Sequence, residues 1–271
     1  MTQVYLLSLP SPPSPTIFGV GPLVLTYHGL LIVVGIAAGA WLTERELARR
    51  GHDDATALVL GSLLIVLPFG LAGARLYHVL TEYDRYAGGP VAAMARVWLG
   101  GLGIYGAVAG GFVGLLIFCH LSGVGTLRFA DAAAPGLVLG QAIGRWGNYF
   151  NQELFGRPSN VPWAIDIAPQ NRPVEFADAT SFHPAFLYES VWDALVCLAL
   201  LWVARRFANR LKTGDVFLLY VALYSLGRFL VETVRIDASF IVGPSIRGNL
   251  VLSAVLALGF AAALLLRRRH A

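Results

Sequence analysis

Three arginines, Arg75, Arg145 and Arg228, fall inside segments otherwise apolar enough to span a bilayer. A charge at membrane depth is costly, and where one is kept it marks a substrate path, a proton relay or a paired site. Arginine's planar fork suits bidentate contact with phosphate or carboxylate, so the chemistry indicated is the handling of an anion. Arg145 lies in the densest polar run, Gly144-Arg145-Trp146-Gly147-Asn148-Tyr149-Phe150-Asn151-Gln152-Glu153. On a continuous helix Gln141, Arg145, Asn148 and Gln152 share one face, where the Asn amide can donate to phosphoryl oxygens and accept from hydroxyls. A polar helix end entering water would account for Asn151, Gln152 and Glu153, but not for Arg145 among Ile143, Trp146 and the glycines.

Tyr224, Arg228, Glu232 and Arg235 repeat at intervals that place all four on one helix face. An ion pair that only joined helices would explain Arg228 and Glu232 and leave Tyr224 and Arg235 without a reason. Glu189 and Asp193 share a face in the next apolar segment upstream, where Glu189 either balances an intramembrane arginine or takes part in chemistry. Asp131 reads as an interfacial residue or helix cap. His52, His120 and His270 fall near helix ends and read as solvated. His28, in Thr26-Tyr27-His28-Gly29, is either a satisfied core residue or an imidazole able to take a proton. Zinc-protease, paired-cysteine, phosphate-loop and serine-hydrolase patterns are absent from the sequence, so no metal or cofactor is expected.

The elements that must carry these residues follow from composition. The chain of 271 residues is 56% hydrophobic and only 13% charged, which places it among polytopic membrane proteins. Its net charge of +4 is almost wholly arginine, with Lys212 the only lysine, and reads as membrane topology rather than nucleic-acid binding. Cys119 and Cys197 lie in apolar runs without ligand or redox spacing and read as small buried hydrophobes. Crossing about 30 Å of hydrocarbon takes about 20 helical residues. The resulting candidates are 23–42, 57–80, 97–119, 130–149, 185–204, 215–234 and 248–266. The expectation is therefore an all-α protein with seven transmembrane helices in a single domain, 1–271.

Arg45, Arg49, Arg50, Arg128, Arg205, Arg206, Arg210, Lys212, Arg267, Arg268 and Arg269 fall on one side of those spans. They outnumber Arg85, Arg96, Arg157, Arg172, Arg235 and Arg247 on the other. The positive-inside rule then puts the N-terminus outside and the C-terminus in the cytoplasm. Residues 1–22 lack Lys and Arg and read as a retained leader rather than a signal peptide. The one long connection, 150–184, is Pro-rich and contains Trp163-Ala164-Ile165-Asp166-Ile167, which alternates like a short strand. Gly136, Gly140, Gly144 and Gly147 in one span, and Gly106, Gly110 and Gly114 in another, are spaced for close helix packing.

The pattern Gly144-Arg145-x-Gly147-Asn148-x-x-Asn151-x-Glu153-x-x-Gly156 resembles the signature of bacterial prolipoprotein diacylglyceryl transferases, which are seven-helix plasma-membrane enzymes. The resemblance extends to Gly73-Ala74-Arg75, Trp98-x-Gly100-Gly101-Leu102-x-Ile104-Tyr105-Gly106 and Ala130-Asp131-x-x-x-Pro135. It continues through His183-Pro184-x-x-Leu187-Tyr188-Glu189 and Tyr224-x-x-x-Arg228-x-x-x-Glu232. It implies transfer of diacylglyceryl from phosphatidylglycerol to the lipobox cysteine of a preprolipoprotein signal peptide in the bacterial inner membrane, with release of glycerol 1-phosphate. Arg145 and Arg228 would hold the phosphate, with Arg75 and Arg235 beside them. Asn148, Asn151 and Tyr224 would orient the phosphate or glycerol, and Glu153, Glu189 and Glu232 would hold the arginines; His183 is a supporting residue. Many members carry histidine at the position of Tyr105 and tyrosine at that of His28, so here the two types are exchanged. Either His28 supplies the imidazole, or Tyr105 orients substrate and the surroundings deprotonate the thiol. An anion transporter would need related halves with broken helices, which the sequence does not repeat. A structural membrane protein would use the polar residues only as helix glue.

Overall fold

The computed structural model describes residues 9–20, 23–87, 89–236, 241–242 and 246–269. Among them are seven α-helices: α1 Tyr27–Arg49, α2 Ala55–Thr81, α3 Ile104–Ser122, α4 Thr126–Asn151, α5 Ala185–Arg206, α6 Asp215–Glu232 and α7 Gly248–Arg269. Three short antiparallel pairs accompany them: β1 Thr16–Val20 with β2 Leu23–Thr26, β3 Ile165–Asp166 with β4 Ser181–Phe182, and β5 Ile241–Val242 with β6 Ile246–Arg247. Four helices, α2, α3, α5 and α7, are long and apolar enough to cross a membrane. The chain divides into two compact units, residues 1–43 with 133–271, and residues 44–132.

Several boundaries differ from the periodicity reading for local reasons. The first four residues expected in span one are the strand β2, and Thr26 accepts the Gly29 N–H at 3.0 Å to start α1 behind it. Residues 97–103 are not part of α3, because Gly100 and Gly101 take left-handed φ of 82° and 75°. A side chain on Gly101 would also collide with His78 and Arg75. Asp131 is not a cap. α4 begins at Thr126, leaving Asp131 3% exposed inside the helix, where its carbonyl accepts from Arg50 at 3.2 Å. Pro184 sits just before α5 rather than as its first residue.

In the smaller unit, α2 and α3 pack through glycine: a Cβ on Gly73 would lie 2.9 Å from the Gly110 Cα, and one on Gly114 would lie 2.9 Å from Phe69. In the larger unit, α1 meets α4 the same way. A Cβ on Gly35 would lie 2.8 Å from the Gly140 carbonyl, and one on Gly39 would lie 2.7 Å from that of Gly136. Gly144, by contrast, faces open space, so close packing does not explain it. α4, α5 and α6 share a core in which Val138, Leu200 and Val216 are almost wholly buried. Trp192 fits against Gly227 and donates to the Leu223 carbonyl at 2.9 Å, which sets α5 against α6. Ser190 donates to the Ala142 carbonyl at 2.8 Å and sets α5 against α4. Phe155, Ile165, Ile167, Phe182 and Phe186 form a second apolar cluster that joins β3 and β4 to the start of α5.

Replacing Gly136 by Leu should force α1 from α4 and cost about 1–3 kcal/mol through overpacking. Gly259, which has nothing within 4 Å, should accept Ala without loss. Melting temperatures of the two variants in detergent check this.

Candidate active site

Glu189 stands one turn into α5, 6% exposed. Its Oε2 lies 2.6 Å from Nε of Arg145 on α4, and its Oε1 lies 2.5 Å from a terminal nitrogen of Arg228 on α6. Arg235, just past α6, reaches the same Oε1 at 3.5 Å. Glu232, fully buried, accepts from the other arm of Arg228 one helical turn away. Tyr224 completes this face by accepting from Arg145 at 3.4 Å. Arg145 and Arg228 nevertheless keep 21% and 17% of their side-chain surface exposed.

The helices converge here because main-chain bonds tie their ends together. Gly156 donates to the His183 carbonyl at 2.8 Å and Arg157 to the Val234 carbonyl at 2.9 Å, while His183 returns a bond to Arg157 at 3.0 Å. One short segment thus joins the exit of α4, the entry of α5 and the exit of α6. Arg247 adds to this by donating to the carbonyls of Glu232 at 3.0 Å and Arg235 at 2.5 Å.

A second group forms where α4 stops. The Glu153 N–H bonds the Asn148 carbonyl at 3.1 Å and the Gln152 N–H bonds the Tyr149 carbonyl at 3.0 Å, which is the Schellman pattern of helix ends. Gln152 takes the left-handed position, φ 50°, that glycine usually fills, and Leu154 follows at φ 56°. Such non-glycine residues cost of order 1–3 kcal/mol each and persist only where the surroundings hold them. Gln152 therefore leaves the helix face expected for it and accepts the Ala168 N–H at 2.7 Å. Glu153 folds back, and its Oε1 accepts from Asn148 at 2.9 Å and from Asn151 at 3.0 Å. Among the described residues its basic neighbour within 4 Å is His28, at 3.9 Å, rather than an arginine. Tyr27 stacks on Phe150 with ring centroids 4.2 Å apart, and beside it His28 lies over Gly147, where any Cβ would strike the imidazole.

The remaining expected residues are placed differently. Arg75 spends four donors on main-chain carbonyls: Met94 at 2.7 Å, Ala93 at 2.9 Å, Gly100 at 2.6 Å and Gly101 at 3.1 Å. Of its five N–H groups, four thus brace residues 93–101. Tyr105, on α3 of the same unit, packs against Tyr77 at 5.8 Å between ring centroids. His183 has its Nδ1 3.0 Å from the Tyr188 hydroxyl, which also accepts from Trp163 at 2.9 Å. Burial holds His183 below the usual histidine range, which suits a neutral pin between the 150–184 segment and α5. Asp193, 2% exposed and one turn beyond Glu189, lies in electrostatic reach of Arg145 and was not among the expected site residues. Its i+4 spacing from Glu189 was the available signal. Arg247, which the charge count sets on the side of the site, sits just before α7, a position that carries no sign that it braces carbonyls.

Comparison with known proteins bears on what this arrangement does. The family model described as prolipoprotein diacylglyceryl transferase matches residues 15–266. A phosphatidylglycerol–prolipoprotein diacylglyceryl transferase of Frankia alni is 45% identical over 267 residues, covering 97% of this chain and 68% of the relative. That of Gloeobacter violaceus is 42% identical over 260 residues, covering 96% of this chain and 95% of the relative. The second such enzyme of Streptomyces coelicolor is 47% identical over 235 residues, covering 86% of this chain and 72% of the relative.

Removing one partner of a buried ion pair leaves uncompensated charge. Glu189→Ala should therefore cost about 3–5 kcal/mol. Arg85→Ala, which breaks a largely exposed pair with Glu82, should cost about 1 kcal/mol or less. Equilibrium unfolding in mixed micelles measures both.

Proposed function

The chain belongs to the prolipoprotein diacylglyceryl transferase family, and on that premise we propose how its residues transfer a diacylglyceryl group from phosphatidylglycerol to the lipobox cysteine of a preprolipoprotein. The observation that supports the assignment most is the pair Arg145 and Arg228, anchored on one buried carboxylate with part of each side chain exposed.

The acceptor thiol first loses its proton, since thiolate is the nucleophile. The sulfur attacks the glycerol carbon that carries the phosphate ester, the carbon–oxygen bond breaks, and its electron pair stays on the phosphate oxygen. A thioether forms and glycerol 1-phosphate leaves with one more negative charge than the diester had. Nothing is oxidised or reduced, so the reaction needs no cofactor. Arg145 and Arg228 stabilise that developing charge, and because Glu189 and Glu232 already hold them, little reorganisation is required as the bond breaks. Arg235 supports Glu189 from behind. Tyr224, Asn148 and Asn151 orient the headgroup. Arg75 braces residues 93–101 of its own unit.

His28 takes the thiol proton in this reading, and Tyr105 orients substrate. The chain is a multi-pass protein of the bacterial plasma membrane in which all seven helices of a single 1–271 domain span the bilayer. The N-terminus lies outside, the C-terminus in the cytoplasm, and the 150–184 segment on the outer face. Its partners are phosphatidylglycerol, lipobox signal peptides and the bilayer, with no nucleic acid.

The purified chain, given a lipobox peptide and phosphatidylglycerol vesicles, should yield a thioether-linked diacylglyceryl peptide by mass spectrometry and none with lipid lacking a phosphodiester. Arg145→Ala and Arg228→Ala should each lower kcat by about 10²–10³. Absence of product beside an active relative, or full activity in both variants, contradicts the proposal.

A further inference from the structure

The Nδ1 atom of His28 is shut off from water and has no hydrogen-bond partner. The side chain as a whole is 33% exposed, so that exposure falls on the rest of the side chain. The nearest carboxylate oxygen, Glu153 Oε1, is 3.9 Å from the buried nitrogen. Leaving an imidazole nitrogen unpaired in the interior is unfavourable, and a short movement of either side chain would pair it.

Glu153 is well placed to be that partner. Asn148 and Asn151 both donate to the oxygen that faces His28. The helix end does not need the carboxylate, because the two main-chain bonds of the Schellman turn already close it. The backbone on either side of Glu153 is held in left-handed geometry by Gln152 and Leu154, which is what turns the side chain back over α4. Gly147 clears the space in which the imidazole sits, since a Cβ there would overlap its Cγ and Nδ1. Gly147 thus makes room for the ring, and Glu153, held by Asn148 and Asn151, faces it.

We propose that Glu153 is a positioning residue for His28, forming with it a carboxylate–imidazole pair that deprotonates the acceptor thiol. The inference rests on the function proposed above. With Nδ1–H turned to Glu153, Nε2 presents its lone pair to the thiol. The thiol proton moves to Nε2, the imidazolium is balanced by the carboxylate, and after the thioether forms the proton passes to solvent. The 3.9 Å gap closes as that charge appears, in keeping with catalytic hydrogen bonds that are long in an unliganded site and tighten in the complex. The exchange of histidine and tyrosine between positions 28 and 105 then has a physical consequence: the base moves to α1, and a carboxylate of the α4 motif serves it.

A double-mutant cycle on the full-length protein tests this, using thioether formation with phosphatidylglycerol vesicles and a lipobox peptide. Glu153→Gln keeps a carbonyl to accept from Asn148 and Asn151, so the turn survives. It should lower kcat about 10–100-fold with the KM for lipid unchanged. His28→Ala should lower kcat about 10²–10⁴-fold. Adding Glu153→Gln to His28→Ala should then change nothing further, because the partner it orients is gone. Independent, multiplying losses overturn the proposal, as does wild-type kcat in either single variant. Failure of the unmutated chain to form product strikes the family-based reading instead and is seen before any variant is made.

Discussion

A carboxylate taken out of water loses hydration that only cations and hydrogen-bond donors at contact distance can replace. Glu189 is in that position, and three guanidinium groups from α4, α6 and the turn beyond α6 replace it. The arrangement constrains everything around it. Helices α4, α5 and α6 cannot slide by a residue without leaving buried charge unpaired, so the site fixes their register as strictly as the apolar core does. Replacing the cluster by hydrocarbon would often be neutral or better for stability. That such a cluster stands at the centre of three helices is therefore better explained by chemistry than by folding.

The rest of the larger unit serves that constraint. Glycines on α1 and α4 let two backbones touch, which brings the start of α1 beside the end of α4. Tyr27 on Phe150 then fixes where His28 lands. The 156–157 segment, bonded to both His183 and Val234, keeps the ends of three helices together above the arginines. A single carboxylate therefore organises the arginine side, while a strained helix end organises the imidazole side.

Much of this was legible in the sequence, for reasons of spacing. The i, i+4 relation of Arg228 to Glu232 is realised as an ion pair, and Arg145, isolated among apolar residues in the sequence, pairs with the buried carboxylate of Glu189. Glycine spacing indicated close helix contact, although spacing alone could not tell Gly136, which touches backbone, from Gly144, which touches nothing. What periodicity missed depended on backbone conformation or on distant carbonyls. Arg75 looks like its fellow intramembrane arginines until the carbonyls of residues 93–101 are seen around it. Glu153 was expected to hold an arginine, and the left-handed Gln152 redirects it to two asparagines and a histidine. Neither outcome has a signature in residue type or period.

The account turns on where the lipid phosphate sits. A structure determined with phosphatidylglycerol bound should place a phosphate oxygen within hydrogen-bonding distance of both Arg145 and Arg228, with Glu189 still joining them from the opposite side. A phosphate held elsewhere, with both guanidinium groups contacting only their carboxylates, would contradict it.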